Sequence, residues 1–167
     1  MTRRKTVLSA MVLAVALGAA APPPLPIRDL KDLPVVTMAP YDEKADANAV
    51  VAAAFARAHK SHKRVLLDLG GNWCPDCIVL ANVMRLPVMQ KFLTAHYEVA
   101  AVDVGRFDRN LQIPARFGFT QRLEGVPTIL VATPDGKLVN QGHVFALSNA
   151  GQMTPQSLAA YLAEWTN

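Results

Sequence analysis

The chain has 167 residues, 51% hydrophobic and 18% charged, the balance of one folded domain around a single core and not of a disordered chain. Its formal charge of +4 rests on Arg3, Arg4 and Lys5, three of 17 cationic side chains set against 13 acidic ones. Beyond those three the charges nearly cancel, which argues against nucleic acid or an acidic membrane surface as a partner. A monomer is expected.

The first segment reads as an export signal: a basic start, an apolar run from Val7 to Leu17, and small residues from Gly18 to Ala21. The run is about half of the ~20 residues needed to span a bilayer, which favours cleavage near Gly18 to Ala21 over a retained anchor. Residues 1–21 are therefore predicted to be a signal peptide, and the bacterial periplasm is the expected location. Residues 22–40 carry Pro22, Pro23, Pro24, Pro26, Pro34 and Pro40, which fix an extended backbone. They are predicted to form a poorly packed tether, with Leu33 to Met38 as a possible edge strand, ahead of a domain over 41–167.

Within that domain, Val50, Val51, Ala54, Phe55 and Ala58 recur at helical spacing, and Asp46 is placed to cap the helix they define. Arg64 to Leu69 is a short apolar run suited to a strand buried on both faces. After the loop Gly70–Gly71–Asn72, Pro75 suits a first helical turn, so Cys74 should stand at the N-terminus of a helix reaching about His96 and kinked or broken at Pro87. A second strand is expected over Val99 to Val104 and a short helix near Pro114 to Phe117. A third strand over Thr128 to Ala132 should turn through Pro134–Asp135–Gly136–Lys137 into a fourth over Leu138 to Val144. Thr154 and Pro155 open a closing helix whose apolar face holds Leu158, Tyr161, Leu162 and Trp165. This order predicts an α/β domain with a central mixed sheet and helices on both faces.

Cysteine usage carries most of the functional signal. An exported chain normally uses cysteines in structural pairs, yet Cys74 and Cys77 are the only two, and a bridge between them closes too short a loop to act as a staple. Reactivity or metal binding must explain them. At a helix N-terminus, unpaired backbone N–H groups and the helix dipole stabilise a thiolate, which suits Cys74 to nucleophilic attack. Cys77, one turn later, can then attack a mixed disulfide at Cys74 and release the reduced partner.

Three segments together, Val65–Leu66–Leu67–Asp68, Trp73–Cys74–Pro75–Asp76–Cys77 and Gly125–Val126–Pro127–Thr128, resemble the signature segments of the thioredoxin superfamily over roughly residues 45–167. The resemblance implies a thioredoxin-like fold and a thiol:disulfide oxidoreductase that needs no cofactor. It implies a cis Pro127 facing the sulfurs, where the alternative is a proline that merely begins a strand. It gives Val126 the task of offering its backbone to an extended substrate. Asp68 becomes the proton acceptor for Cys77, where the alternative is a solvated strand end. Trp73 becomes a partly exposed contact for substrate, where the alternative is a core aromatic.

Two departures from the family pattern stand out: Gly70 and Gly71 replace the usual residues after the acid's neighbour, and Ala101 stands where a lysine is usual. Pro75 removes a donor and Asp76 adds negative charge beside Cys74, both of which destabilise its thiolate and favour a reductant over an oxidant. The expected substrate is a disulfide-containing protein or small molecule, and a membrane electron donor would have to re-reduce the pair. An oxidase or isomerase is the alternative direction. A metal-binding module is the alternative class, because His59 and His62 precede the cysteines in an H-x2-H then C-x2-C order.

Overall fold

The computed structural model describes residues 18–167. The basic start and the apolar run of the predicted export signal lie outside the described residues. The ordered elements are helix α1 (Ala47–Ser61), strand β1 (Arg64–Gly70), helices α2 (Pro75–Met84) and α3 (Pro87–His96), strand β2 (Tyr97–Asp103), the short helix α4 (Gln112–Ala115), strand β3 (Thr128–Ala132) and helix α5 (Pro155–Glu164). Both predicted caps are formed: Asp46 accepts from the N–H groups of Asn48 and Ala49, and Thr154 accepts from that of Ser157. The expected long helix is broken at Arg85–Leu86, ahead of Pro87, into two helices bent by 82°.

The sheet runs β2–β1–β3. β1 pairs parallel with β2, setting Asp68 opposite Ala101, and antiparallel with β3, setting Asp68 opposite Ile129. Burial on both faces explains the unbroken apolar run in β1: Val65, Leu67 and Leu69 pack with Val51, Ala54 and Ala58 of α1, whereas Leu66 packs with residues of α2, α3 and α5. The three-layer α/β arrangement expected from the sequence is therefore present. It directs the C-terminal ends of β1 and β2 toward the start of α2.

The fourth strand does not form. Leu138 makes one bridge to Ala132 and Val139 donates to Val131, after which the chain enters a 3-10 turn at Gln141–His143. Asn140 is the cause: its buried side chain takes over the ladder, accepting from Val131 N at 2.9 Å and donating to Ile129 O at 2.8 Å. With its pairing needs met by an amide side chain, the backbone is free to turn away.

The proline-rich stretch also differs from expectation. Leu25, Ile27, Leu30 and Leu33 pack on the α2/α3/α5 side of the core, Gln156 bonds the backbone at Pro23 and Leu25, and residues 36–37 form no edge strand. Instead Val36 N and Thr37 N both donate to Asn82 Oδ1, and Asn82 Nδ2 donates to Thr37 O. The stretch makes a 3-10 turn at Leu30–Asp32 and no sheet pairing, and a buried asparagine on α2 supplies the partners that a neighbouring strand would have supplied to residues 36–37.

Candidate active site

The site forms where β1 ends and α2 begins. Cys74 is the N-cap of α2, with extended backbone angles, Pro75 at the first helical position, and its sulfur accepting from Cys77 N at 3.2 Å. A sulfur thus does the work usually done by a serine or aspartate oxygen, and that work favours negative charge on it. Cys74 retains 3% exposure and Cys77 none, so attack from outside can fall only on Cys74. Both are free thiols.

The ionisation pattern separates the two. Donation from the Cys77 thiol, backed by the N–H groups of Cys77 and Asp76, holds the Cys74 thiol below its ordinary value against burial and the Asp76 charge. Cys77 is pushed far up, because its proton is held in the bond to Cys74, and burial and the neighbouring negative charges act the same way. The carboxylate of Asp76 is turned to the far side, accepting from Gly151 N at 2.7 Å.

Opposite the cysteines, the Val126–Pro127 peptide is cis, and Val126 O lies 3.4 Å from the Cys74 sulfur and accepts from its thiol. Pro127 is buried at the head of β3 and Thr128 Oγ1 ties the loop to Gly125 O at 2.6 Å. Trp73 is 39% exposed. Its indole donates to Gly105 O at 2.7 Å, its ring meets Phe107 edge to face, and Arg106 lies 4.9 Å from the ring centroid. Gly71 makes this placement possible, since a Cβ there would stand 2.7 Å from the indole nitrogen. Of the residues expected at the site, Val126 meets the Cys74 sulfur through its carbonyl, Pro127 follows it across the cis peptide, and Pro75 and Asp76 fill the first turn between the cysteines.

Asp68 is not a solvated strand end. It is 4% exposed, and burial pushes its carboxyl up to about 7, against the lowering effect of a hydrogen bond from Tyr41. That bond, Tyr41 Oη to Asp68 Oδ1 at 2.9 Å, joins the site to a residue that no motif in the sequence marks. The two histidines of the metal reading lie elsewhere. His59 and His62 sit at the end of α1, before β1, whereas the cysteines follow β1, so seven strand residues separate the pairs by roughly 20 Å. Among the described residues no cluster of three or more histidine, cysteine, aspartate or glutamate side chains is placed to hold a metal, and His59 and His62 do not join the two cysteines in one ligand set.

The thioredoxin-like family model matches residues 46–134, more than half of the chain, a span that holds Asp68, Cys74, Cys77 and Pro127. The chain belongs to the thioredoxin-like family. Among solved structures it is similar to a disulphide isomerase from Xylella fastidiosa Temecula1, with 37% identity, 75% of this chain and 95% of that one covered, and a TM-score of 0.69. More distant likenesses are a DsbH oxidoreductase, at 19% identity over 61% of this chain and 81% of that one with a TM-score of 0.43, and a protein of unknown function from Pseudomonas aeruginosa, at 21% identity over 71% and 83% with a TM-score of 0.39. Among curated proteins, no sequence matches this chain. Family, fold and the paired thiols at a helix start are together those of a thiol:disulfide oxidoreductase.

Proposed function

We propose that the protein is an exported disulfide reductase that works in the bacterial periplasm on disulfide-containing proteins or small disulfides, acts as a monomer, and is recharged by a membrane electron donor. The observation that carries the reading is the division of labour between the sulfurs: Cys74 with 3% exposure and acidified at the helix start, Cys77 sealed and held as a thiol one turn behind it. Cys74 attacks one sulfur of the substrate disulfide, forming a mixed disulfide and releasing the other sulfur as a thiolate. Cys77 then loses its proton and attacks Cys74. The bond between Cys74 and the substrate breaks, and the substrate leaves reduced by two electrons while Cys74 and Cys77 are oxidised to a disulfide.

In this reading Asp68 accepts the Cys77 proton, which suits a carboxyl whose affinity for protons lies near neutrality. Val126 and Pro127 align extended substrate backbone beside Cys74, and Trp73, Pro75 and Asp76 form the floor on which it rests. Asp76 disfavours the Cys74 thiolate, which makes the couple more reducing than one with a neutral or cationic residue there. The export reading rests on the basic start, apolar run and small residues of positions 1–21.

A second direction, disulfide isomerisation, is favoured by the Xylella relative described as a disulphide isomerase. The reduction potential of the Cys74/Cys77 pair separates the two. A reductase should lie near the thioredoxin value of about −270 mV. A value near the isomerase level of about −180 mV, or the strong-oxidant level of about −120 mV, would reverse the direction proposed.

A further inference from the structure

Gly70 is the last residue of β1, and it lacks a side chain because Tyr41 occupies the space. A Cβ at Gly70 would stand 2.3 Å from Tyr41 Oη and 2.9 Å from the Cys77 sulfur, so the phenol oxygen and the buried thiol are neighbours across an empty glycine. On its other side the same oxygen donates to Asp68. Tyr41 is only 2% exposed, and its backbone is fastened in both directions by Asn72, whose Oδ1 accepts from Tyr41 N at 3.0 Å and whose Nδ2 donates to Tyr41 O at 2.9 Å. Farther back, Asn82 pins residues 36–37 to α2. The phenol is therefore a fixed part of the site, brought in by the proline-rich approach to the domain.

From this geometry we infer that the Tyr41 hydroxyl is the link through which Cys77 passes its proton to Asp68 when the mixed disulfide is resolved. As the Cys77 S–H bond breaks, its proton goes to Tyr41 Oη and the proton of Tyr41 goes to Asp68 Oδ1. The electron pair left on Cys77 attacks Cys74, the Cys74–substrate bond breaks, and the departing substrate thiolate takes a proton from solvent. Burial and the nearby Asp68 and Cys77 charges push the Tyr41 phenol far above its ordinary value, so Tyr41 hands a proton on in one motion and is not left ionised. The route continues outward. Asp68 also lines a groove of about 670 Å3 bounded by Pro40, Ala81, Met84, Leu93 and Ala101, through which the carboxyl can return its proton to water. Ala101, in register with Asp68 on β2, marks where the usual lysine is missing, and Tyr41 reaches the same carboxylate from the Gly70 end of β1. Tyr41 is thus a positioning and proton-transfer residue, and the inference rests on the thiol-exchange reading above.

An aromatic disulfide such as dithiobis(nitrobenzoate) releases one coloured thiolate when Cys74 attacks and a second when Cys77 resolves the mixed disulfide, so one stopped-flow trace separates the steps. Tyr41→Phe should slow the second phase roughly tenfold or more relative to the first and shift its pH profile. Tyr41→Phe combined with Asp68→Asn should be no slower than Asp68→Asn alone, because both lie on one path. On the wild-type chain, which needs no folding control, the second phase should show two protons in motion in mixed light and heavy water. A second phase in Tyr41→Phe with wild-type rate and pH profile, a double variant whose losses multiply, or a single-proton inventory would each overturn the link. Absence of any release by the wild-type protein would instead overturn the thiol-exchange reading itself.

Discussion

At the scale of single residues, the site works by giving two identical side chains opposite environments. Cys74 takes the position of a helix cap and Cys77 is enclosed a turn later, so one favours the thiolate and the other the thiol. Cys77→Ser should therefore trap a stable mixed disulfide at Cys74 that is visible by mass spectrometry, and Cys74→Ser should form none. Asp76→Asn removes the charge that opposes ionisation of Cys74. It should lower the Cys74 pKa and make the couple more oxidising, as read by equilibration with a glutathione buffer.

Asp68 is costly where it stands. Its carboxyl is raised from an ordinary value of 3.8 to about 7, so the folded chain binds this proton more tightly than the unfolded chain does. The stability linked to that proton is complete below the unfolded pKa and is lost as pH rises through the folded one. Asp68→Asn should accordingly gain on the wild type by a few kcal/mol between about pH 4 and about pH 8, measured by urea unfolding at each pH, while resolution of the mixed disulfide slows. An equal difference at both ends of that range would contradict the assigned carboxyl.

At the scale of elements, what could be read from the sequence divides by how local its cause is. The α1 cap at Asp46, the break ahead of Pro87, the cap at Thr154 and the doubly buried β1 all follow from residues adjacent to the feature, and all are present. The missing fourth strand was illegible because its cause is one buried side chain, Asn140, bonded to strand residues nine and eleven positions earlier. Tyr41 was illegible for the same reason, since its partners lie beyond the whole of α1. Gly70 was the one visible trace of it: a departure in the sequence that proves to be a socket. Asn140→Ala strips partners from a buried N–H and a buried C=O, and should cost about 1–3 kcal/mol of unfolding free energy by urea titration. A loss within a few tenths of a kcal/mol of zero would mean that the ladder does not depend on this amide.

At the scale of the whole molecule, the proline-rich stretch works as a strap. Leu25, Ile27, Leu30 and Leu33 cover the α2/α3/α5 side of the core, and residues 36–41 run from there along α2 to deliver Tyr41 behind the cysteines. Removing residues 22–33 should lower the melting temperature through lost apolar burial while leaving the fold of residues 41–167 in place, as judged by far-ultraviolet circular dichroism. An unchanged melting temperature would show that the strap adds nothing to stability.

The sequence motif, the family and the geometry converge on one sulfur whose thiol is held below its ordinary value at a helix start, with its mate protonated and fully enclosed. The direct measurement is the pH dependence of iodoacetamide alkylation of the reduced wild-type chain, with each cysteine quantified by peptide mass spectrometry. Alkylation should fall on Cys74 alone, with an apparent pKa below the ordinary thiol value of about 8.5. Alkylation of Cys77 first, or of both thiols together at or above that value, would contradict the account.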